Sequence, residues 1–458
     1  MYKIDFTLRQ HTPLIHFQYD QLGATLRATE VKPKLDRFLC EKGIQLDKSL
    51  IKHEKAIVKL QKALEEKHSL YSIKIGPSYN VKYYLPLPLK LDSRDNPDRQ
   101  KNLIEYYKEI KEIDISILAP TPYFANADKI GFHPRTSDVD KVKTDIENIK
   151  IGVLESNDIN CEINTTDKDI FNVLVDTLSS FFIYVNFGTR QNKGFGSFSV
   201  KSINHLKVNS DQRSEILRNC YKYKSIRERD LVSTFSYIQS EYQLLKSGKN
   251  HQGYEKSKLF EYFINNSTNP IRWEKRFHKQ QINSNKIDNR DLFYKIKNAP
   301  IDLSNVSKQE YNEWNDKQVN EYQFVRALLG LAEQFEFLVI KKERDNNGQF
   351  VNTMTPNGPK QDSSFRYVVS IEHNAIDQDN KIERFASPLF YKVIDGFVYI
   401  RYDEDYPKIF NQSFSFKLKL KGNHTPPVNI GTLMTPKHFD INAFLARYIN
   451  NKNWTDRL

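Results

Sequence analysis

The sequence predicts an α+β protein of more than one domain. Three observations carry that expectation. Strand-like and helix-like hydrophobic periods alternate along residues 1–205, a glycine-rich stretch joins the strongest helix to a strand, and residues 321–458 return to β-rich segments ending in a helix. A chain of 458 residues has room for about two to four domains.

Residues 2–17 read as the first strand. Tyr2, Ile4, Phe6 and Leu8 alternate with Lys3, Asp5, Thr7 and Arg9, and a period of two sorts them onto opposite faces. "LGATLRATEVKPKLDRFLCEKG" predicts a helix, with Pro33 as its first residue and Gly43 as its stop. Leu35, Phe38 and Leu39 share its core face, and Lys34 and Arg37 lie together on another. Residues 71–89 predict a hairpin turning at "GPSYN". A polar stretch at 91–100 and an exposed excursion, "ILAPTPYFANADKIGFHPR", follow. Strand-like "NIKIGVLESNDINCEINT" then leads to a helix in which Ile170, Phe171, Leu174, Leu178, Phe181, Phe182 and Val185 recur every three or four residues. Thr166 is the expected N-cap of that helix, with Asp169 placing negative charge in its first turn. "NFGTRQNKGFGSFSV", residues 186–200, comes next, with Gly188 expected to cap the helix C-terminus.

Strand, helix, two or more strands, helix, glycine loop, strand is the β-α-β-β-α-β order of a ferredoxin-like fold, the architecture of RNA-recognition domains. The expected fold class is therefore α+β, with two ferredoxin-like (RRM-like) domains carrying large insertions. Residues 1–205 form the first, with its glycine-rich loop at 186–198. Residues 206–320 form a basic, mainly helical insertion with helices near 211–219, 228–247 and 256–265. Residues 321–458 form the second, in which "EYQFVRALLGLAEQFEF" reads as helical, with Phe324, Leu328, Leu331 and Phe335 on one stripe. "FRYVVSIEH", "FASPLFYKVIDGFVYIRYD" and "FSFKLKL" are β-rich, "DINAFLARYINN" is a terminal helix, and 341–362 reads as a mobile loop.

Net charge is +12. Residues 186–280 hold 18 Lys+Arg against 8 Asp+Glu, a concentration that attracts polyanions by releasing their counterions. No apolar run approaches the ~18–20 residues needed to span a bilayer, and the N-terminal residues alternate rather than forming a leader. The three scattered cysteines argue against a disulfide framework or zinc site, and a reducing cytoplasm is the expected location.

The glycine loop is not a nucleotide cradle. Walker and dinucleotide loops lead from strand into helix, whereas this one leads from helix into strand. Arg190, Lys193, the amides of Gly194 and Gly196 and the ring of Phe195 combine phosphate donors with a stacking surface, as single-stranded RNA requires. Core packing is the competing role for Phe195. His11 and His16 sit at an odd spacing and would face opposite sides of a strand, so they cannot share a metal there. His133, with Arg135 close by, could serve as a general acid or base in RNA cleavage. No serine-hydrolase or zinc-protease motif occurs.

These residues resemble the RAMP superfamily of CRISPR-associated proteins. The strand ending "HTPLIHF", the segment "LRATEVKPKLDRFL" and the loop with Gly188, Arg190, Lys193, Gly194, Phe195, Gly196 and Ser197 carry the likeness. "VRALLGL" and "ERFASPLFYKV", with Arg384, Ser387 and Pro388, extend it. The likeness covers 1–43 and 165–200 firmly and 320–400 more loosely. Within the superfamily the chain is most similar to the Cmr (type III-B) effector subunit at the 3′-end side of the guide RNA.

The resemblance implies an RNA-binding subunit of a type III effector complex, holding guide RNA or guide–target duplex beside the other subunits. It implies a non-catalytic role, and no catalytic residue, metal, cofactor or membrane contact is expected. Arg27, Lys32, Lys34, Arg37, Arg190, Lys193, Gly194, Phe195, Gly196, Ser197 and Arg384 are its expected RNA-binding positions. Two alternatives stand beside it: a metal-independent RAMP endoribonuclease using His11, His16 or His133, and a basic protein–protein scaffold.

Overall fold

A computed structural model of the chain describes residues 1–16, 25–42, 48–85, 104, 107–109, 112–118, 151–221, 226–228, 230–250, 254–266, 272–274, 277–278, 322–331, 334–340, 342–344, 350–352, 354–355, 358–359, 361–374, 381–382, 384–420 and 426–448. The stretch at 91–100, His133, Arg135 and Gly43 lie outside the described residues. The described part of 341–362, expected as a mobile loop, holds short strands instead: Lys342–Arg344 pairs with Phe350–Asn352, and Met354–Thr355 with Gly358–Pro359. The fold is mixed α+β, in two units. One comprises Met1–Glu241, Leu389–Tyr402 and Leu445–Leu458, and the other Tyr242–Pro388 and Asp403–Phe444.

The first unit opens with β1 (Tyr2–Gln10), whose Ile4, Phe6 and Leu8 are buried as the alternation requires. Next come α1 (Ala28–Arg37) and α2 (Glu54–Glu65), then β2 (Tyr71–Ile75). After them follow β3 (Ile159–Thr165), α3 (Lys168–Tyr184) and β4 (Phe198–Ile203). The sheet order is β2-β3-β1-β4, with the short strand Leu206–Lys207 beyond β4, and every neighbouring pair is antiparallel. β1 and β2, joined through helices, therefore run parallel with β3 between them. β3 and β4, joined through α3, likewise flank β1.

One core fills the space between sheet and helices. It takes Phe6 and Leu8 from β1, Val31 and Leu35 from α1, Ile57 and Leu60 from α2, Ile163 from β3 and Leu174, Leu178 and Phe182 from α3. Each such side chain contributes about 1.5–3 kcal/mol through removal from water.

Local signals misplace several element ends. Pro33 lies inside α1, which begins at Ala28. The cap of α3 is Asp167, whose Oδ1 accepts from the N–H groups of Asp169 (2.8 Å) and Ile170 (3.2 Å). Thr166 does not fill that position. Strand Val81–Leu85 forms as expected but does not pair with β2. It joins Ile115–Ile117 and Gly152–Glu155 in a separate three-stranded sheet, while β2 pairs with β3.

Three helices follow the sheet close to their expected positions: α4 (Ser210–Cys220), α5 (Leu231–Lys246) and Lys258–Asn266. Far along the chain, β5 (Leu389–Ile394) and β6 (Phe397–Tyr402) return to the first unit as a hairpin. Its two-residue turn, Asp395–Gly396, has φ of +50° and +79°. Both central residues are left-handed, as a type I′ turn requires.

The second unit is built on six strands in the order Arg272–Trp273, Tyr322–Gln323, Val428–Met434, Ser413–Leu420, Gln361–His373 and Gln334–Ile340. The expected helix over "EYQFVRALLGLAEQFEF" is absent. A short strand, the 3-10 turn Val325–Leu329 and the strand Gln334–Ile340 take its place. Gly330 sits between turn and strand at φ +107°, where an added Cβ would lie 3.2 Å from the Ser387 amide nitrogen. The "FLVI" run, aromatic and β-branched at Phe337, Val339 and Ile340, then pairs antiparallel with Gln361–His373.

Candidate nucleic-acid interface

The glycine-rich loop begins where α3 stops. Val185 is already extended, with φ −110° and ψ 143°, so the helix ends before Gly188 and the cap expected there is not formed. Its terminal carbonyls are met by a residue more than 200 positions away. Lys392 of β5, fully buried, donates from Nζ to Phe182 O (2.7 Å), Val185 O (2.8 Å) and Asn186 Oδ1 (3.0 Å). A cation at a helix C-terminus is favourable because the unpaired carbonyls there carry partial negative charge. Burial pushes the pKa of this ammonium well below the usual lysine range. Asn186 completes the joint by donating from Nδ2 to Gln191 O (2.8 Å) and Tyr391 O (2.9 Å).

The loop itself is a rigid turn on the segment that follows β1. Gly188 has φ +74°, and an added Cβ would meet Ile15 O at 2.5 Å. Its N–H donates to Glu30 Oε1 (2.6 Å). Gly194 (φ +86°) donates to Gln191 O (3.2 Å) and accepts from Thr12 Oγ1 (2.7 Å). Gly196 (φ +63°) donates to Pro13 O (2.8 Å) and accepts from Phe187 N (3.0 Å). Both glycine amides expected to reach phosphate are thus engaged inside the protein. Ser197 is buried too. Its N–H donates to Thr12 Oγ1 (2.9 Å), and its hydroxyl donates to Val393 O (2.5 Å).

Phe195 is buried as well, its ring 4.2 Å from that of Phe235 in α5. The ring is an anchor of the loop, and the stacking surface expected in the sequence is not offered there.

The cations divide into two groups. Lys34 is brought to the loop: Nζ donates to Asn186 O (2.9 Å) and Gln191 Oε1 (3.0 Å), lies 3.5 Å from Glu30 Oε1 and sits over the Phe187 ring. Burial lowers its pKa, and Glu30 opposes that shift. Arg190 and Lys193 stand on the turn, both half-buried as residues, with the Lys193 Nζ itself out of contact with solvent. Arg190 holds a left-handed φ of +58°, and burial draws its guanidinium pKa down to about 10, which leaves it cationic at neutral pH. Half-buried Arg27, at the N-terminus of α1, lies within electrostatic range of His16, whose pKa is lowered by burial first and by Arg27 second.

Lys32 and Arg37 each pair with an acidic residue four positions on. Lys32 is held by Asp36 Oδ2 (2.9 Å) and lies over the Tyr71 ring. Arg37 is exposed, 4.0 Å from Glu41. Arg384 is an exposed residue of the second unit.

His11 closes the other side of the joint. Its Nδ1 accepts from the Asp395 N–H (3.2 Å), so the neutral ring carries its proton on Nε2 and donates to Ser199 Oγ (2.7 Å). Burial pulls its pKa down to about 3, against the raising effect of Asp395. Asp395 in turn lies 2.9 Å from Arg213 and 3.5 Å from Arg9.

The chain matches two family models in succession. One, described as the Cmr1 N-terminal domain, covers residues 1–249, and the other, the Cmr1 C-terminal domain, covers 254–457. The chain belongs to the Cmr1 family. It is a subunit of a Cmr, type III-B, CRISPR effector complex. No curated protein sequence matches it. Among the described residues, no helix is long and apolar enough to cross a membrane.

Sequence reasoning missed three residues that shape this Cmr1-family loop: Lys392, Asn186 and Glu30. Nothing local marks a lysine in an apolar strand as a helix cap. The "DG" of the hairpin that carries it is a turn signal flanked by apolar residues, and it alone could have pointed to the β5–β6 pair.

Proposed function

We propose that the chain is an RNA-binding RAMP subunit of the type III-B effector, holding guide RNA or guide–target duplex at the 3′-end side of the guide, without an active site of its own. The observation that carries this reading is the glycine loop: a turn fixed by three left-handed glycines and carrying Arg190 and Lys193, of which Arg190 is the cation the reading relies on. It stands at the start of the most basic fifth of the chain, and belongs to a CRISPR effector family. The β2-β3-β1-β4 order with its two helical crossovers supports a ferredoxin-like fold for the first unit. RNA contact falls to side chains here, because the amides of Gly194 and Gly196 donate to Gln191 O and Pro13 O. The rigid loop sets where those side chains stand.

A non-catalytic role is favoured over the endoribonuclease reading by the state of His11. Both ring nitrogens are engaged by Ser199 and Asp395, and a pKa of about 3 is far from the near-neutral value a general base needs. The three cysteines are free thiols, which suits a reducing cytoplasm.

The test is equilibrium binding of labelled single-stranded RNA across a salt series. Affinity falls with salt for the wild-type chain. Replacing Arg190 and Lys193 together by Ala weakens binding at least about tenfold at low salt. It also flattens the log–log salt slope by about 0.7, the share of the one phosphate that Arg190 no longer neutralises. A double variant that binds like the wild type refutes the assignment of the interface to this loop.

A further inference from the structure

The turn Gly76–Asn80, after β2, holds an aromatic ring out into water on an immobilised backbone. Tyr79 is 83% exposed. The backbone beneath it is fixed by Glu155, a carboxylate only 2% exposed. Glu155 accepts from the N–H groups of Tyr79 (Oε2, 2.6 Å), Asn80 (3.0 and 3.1 Å to its two oxygens) and Asn157 (2.8 Å). The Ser156 N–H donates to Asn80 O (2.9 Å), and the Gly76 N–H donates to Asn160 O (2.8 Å). Glu155 is itself tied to β1, because its N–H donates to Gln10 Oε1 (2.9 Å). Hydrogen bonds thus run from the central strand of the sheet to the residue that bears the ring.

A buried carboxylate is tolerated only where its lone pairs are satisfied, and here the donors that satisfy it are largely those of the turn. The consequence is pre-organisation. A ring with two rotatable bonds on a fixed backbone loses little freedom when something stacks on it.

Its surroundings are polar and cationic. Gly76, Pro77, Ser78 and Asn80 make up the rest of the turn; beside it Lys82 is exposed, and so is Lys74, which lies 3.5 Å from Glu162. Ser78 Oγ lies 3.0 Å from Thr25 Oγ1, and Arg27 is two residues further on, a span of at most about 7 Å. A protein anchor sits among apolar neighbours that exclude water. An isolated ring flanked by cations matches instead a nucleobase with its phosphates on either side.

We infer that Tyr79 is a stacking platform for a base of single-stranded RNA, adjoining the proposed interface at Arg27. The inference rests on the RNA-binding reading above and adds a contact that the glycine loop, with Phe195 buried, does not supply.

The experiment titrates the full chain into single-stranded RNA carrying 2-aminopurine, at low salt and across a salt series. Tyr79→Ala weakens binding about tenfold with an unchanged salt slope, since the variant forfeits a stacked base and keeps every phosphate. Tyr79→Phe retains wild-type affinity and the wild-type change in 2-aminopurine emission, which Tyr79→Ala abolishes. If the wild type binds and Tyr79→Ala binds equally well, the platform is refuted while RNA binding stands, and Tyr79 is left to a protein partner. A shallower salt slope in Tyr79→Ala also refutes stacking. Absence of RNA binding by the wild type refutes the RNA-binding reading itself, and the platform with it.

Discussion

At the scale of single residues, the loop depends on glycines for reasons of space as well as dihedral angle. Gly196 combines φ +63° with a position where an added Cβ would fall well inside contact distance of the Phe187 carbonyl oxygen. The obstacle is backbone, which cannot rotate away. Gly196→Ala therefore costs more than the roughly 1–2 kcal/mol of left-handed strain alone. We expect a loss of about 2–4 kcal/mol, read as a lower urea midpoint with an unchanged slope. A loss below about 0.5 kcal/mol, the range of an ordinary surface substitution, would show that the loop is not held in this way. His11 illustrates the opposite case of a residue whose chemistry is suppressed by its site. Its residue type suggests reactivity, yet two hydrogen bonds and burial keep it neutral as a link between β4 and the Asp395 turn.

At the scale of elements, the end of α3 is the joint on which the loop turns. Lys392→Met keeps much of the side-chain volume but leaves the carbonyls of Phe182 and Val185 and the Asn186 side chain without the donor they now share. Removing one member of a buried charged network costs about 3–5 kcal/mol, and the expected loss lies toward the lower end because the ammonium also sheds its own desolvation penalty. Hydrogen exchange should localise the effect to residues 181–187, with β1 protected as before. Uniform loss of protection, or none, would contradict a capping role. Elements whose apolar pattern faces a single core were legible in the sequence: the alternation of β1, the three- and four-residue spacing of α3, and the helices α4 and α5. What was hidden depended on distant partners. "GPSYN" correctly marks a turn, but β2 finds its partner in β3, whose Thr165 pairs with Tyr71 across more than ninety residues. The stripe Phe324, Leu328, Leu331 and Phe335 has helical spacing, yet Gly330 breaks it at φ +107° and the following strand gains a long partner. Among site residues, the motif located Arg190, Lys193 and the glycines. It could not show that Phe195 turns inward onto Phe235, or that Lys34 is drawn to Asn186 and Gln191.

At the scale of the whole molecule, the +12 net charge and its concentration between residues 186 and 280 acquire a meaning once the chain is placed in the Cmr1 family. A subunit of an RNA-guided effector that positions nucleic acid needs a fixed basic surface and has no need of a histidine poised near neutrality. On the proposed RNA-holding role, that surface would start at the turn whose shape is set by glycines and whose amides are already used. Holding without cutting is the central claim, and both halves can be read in one measurement. Labelled single-stranded repeat RNA is incubated with the full chain in EDTA and resolved in parallel on native and denaturing gels. The expected result is RNA that is shifted in the native gel and intact in the denaturing one. Unshifted RNA at low salt, or discrete fragments that vanish when His11, His16 or His133 is replaced by Ala, would contradict the claim.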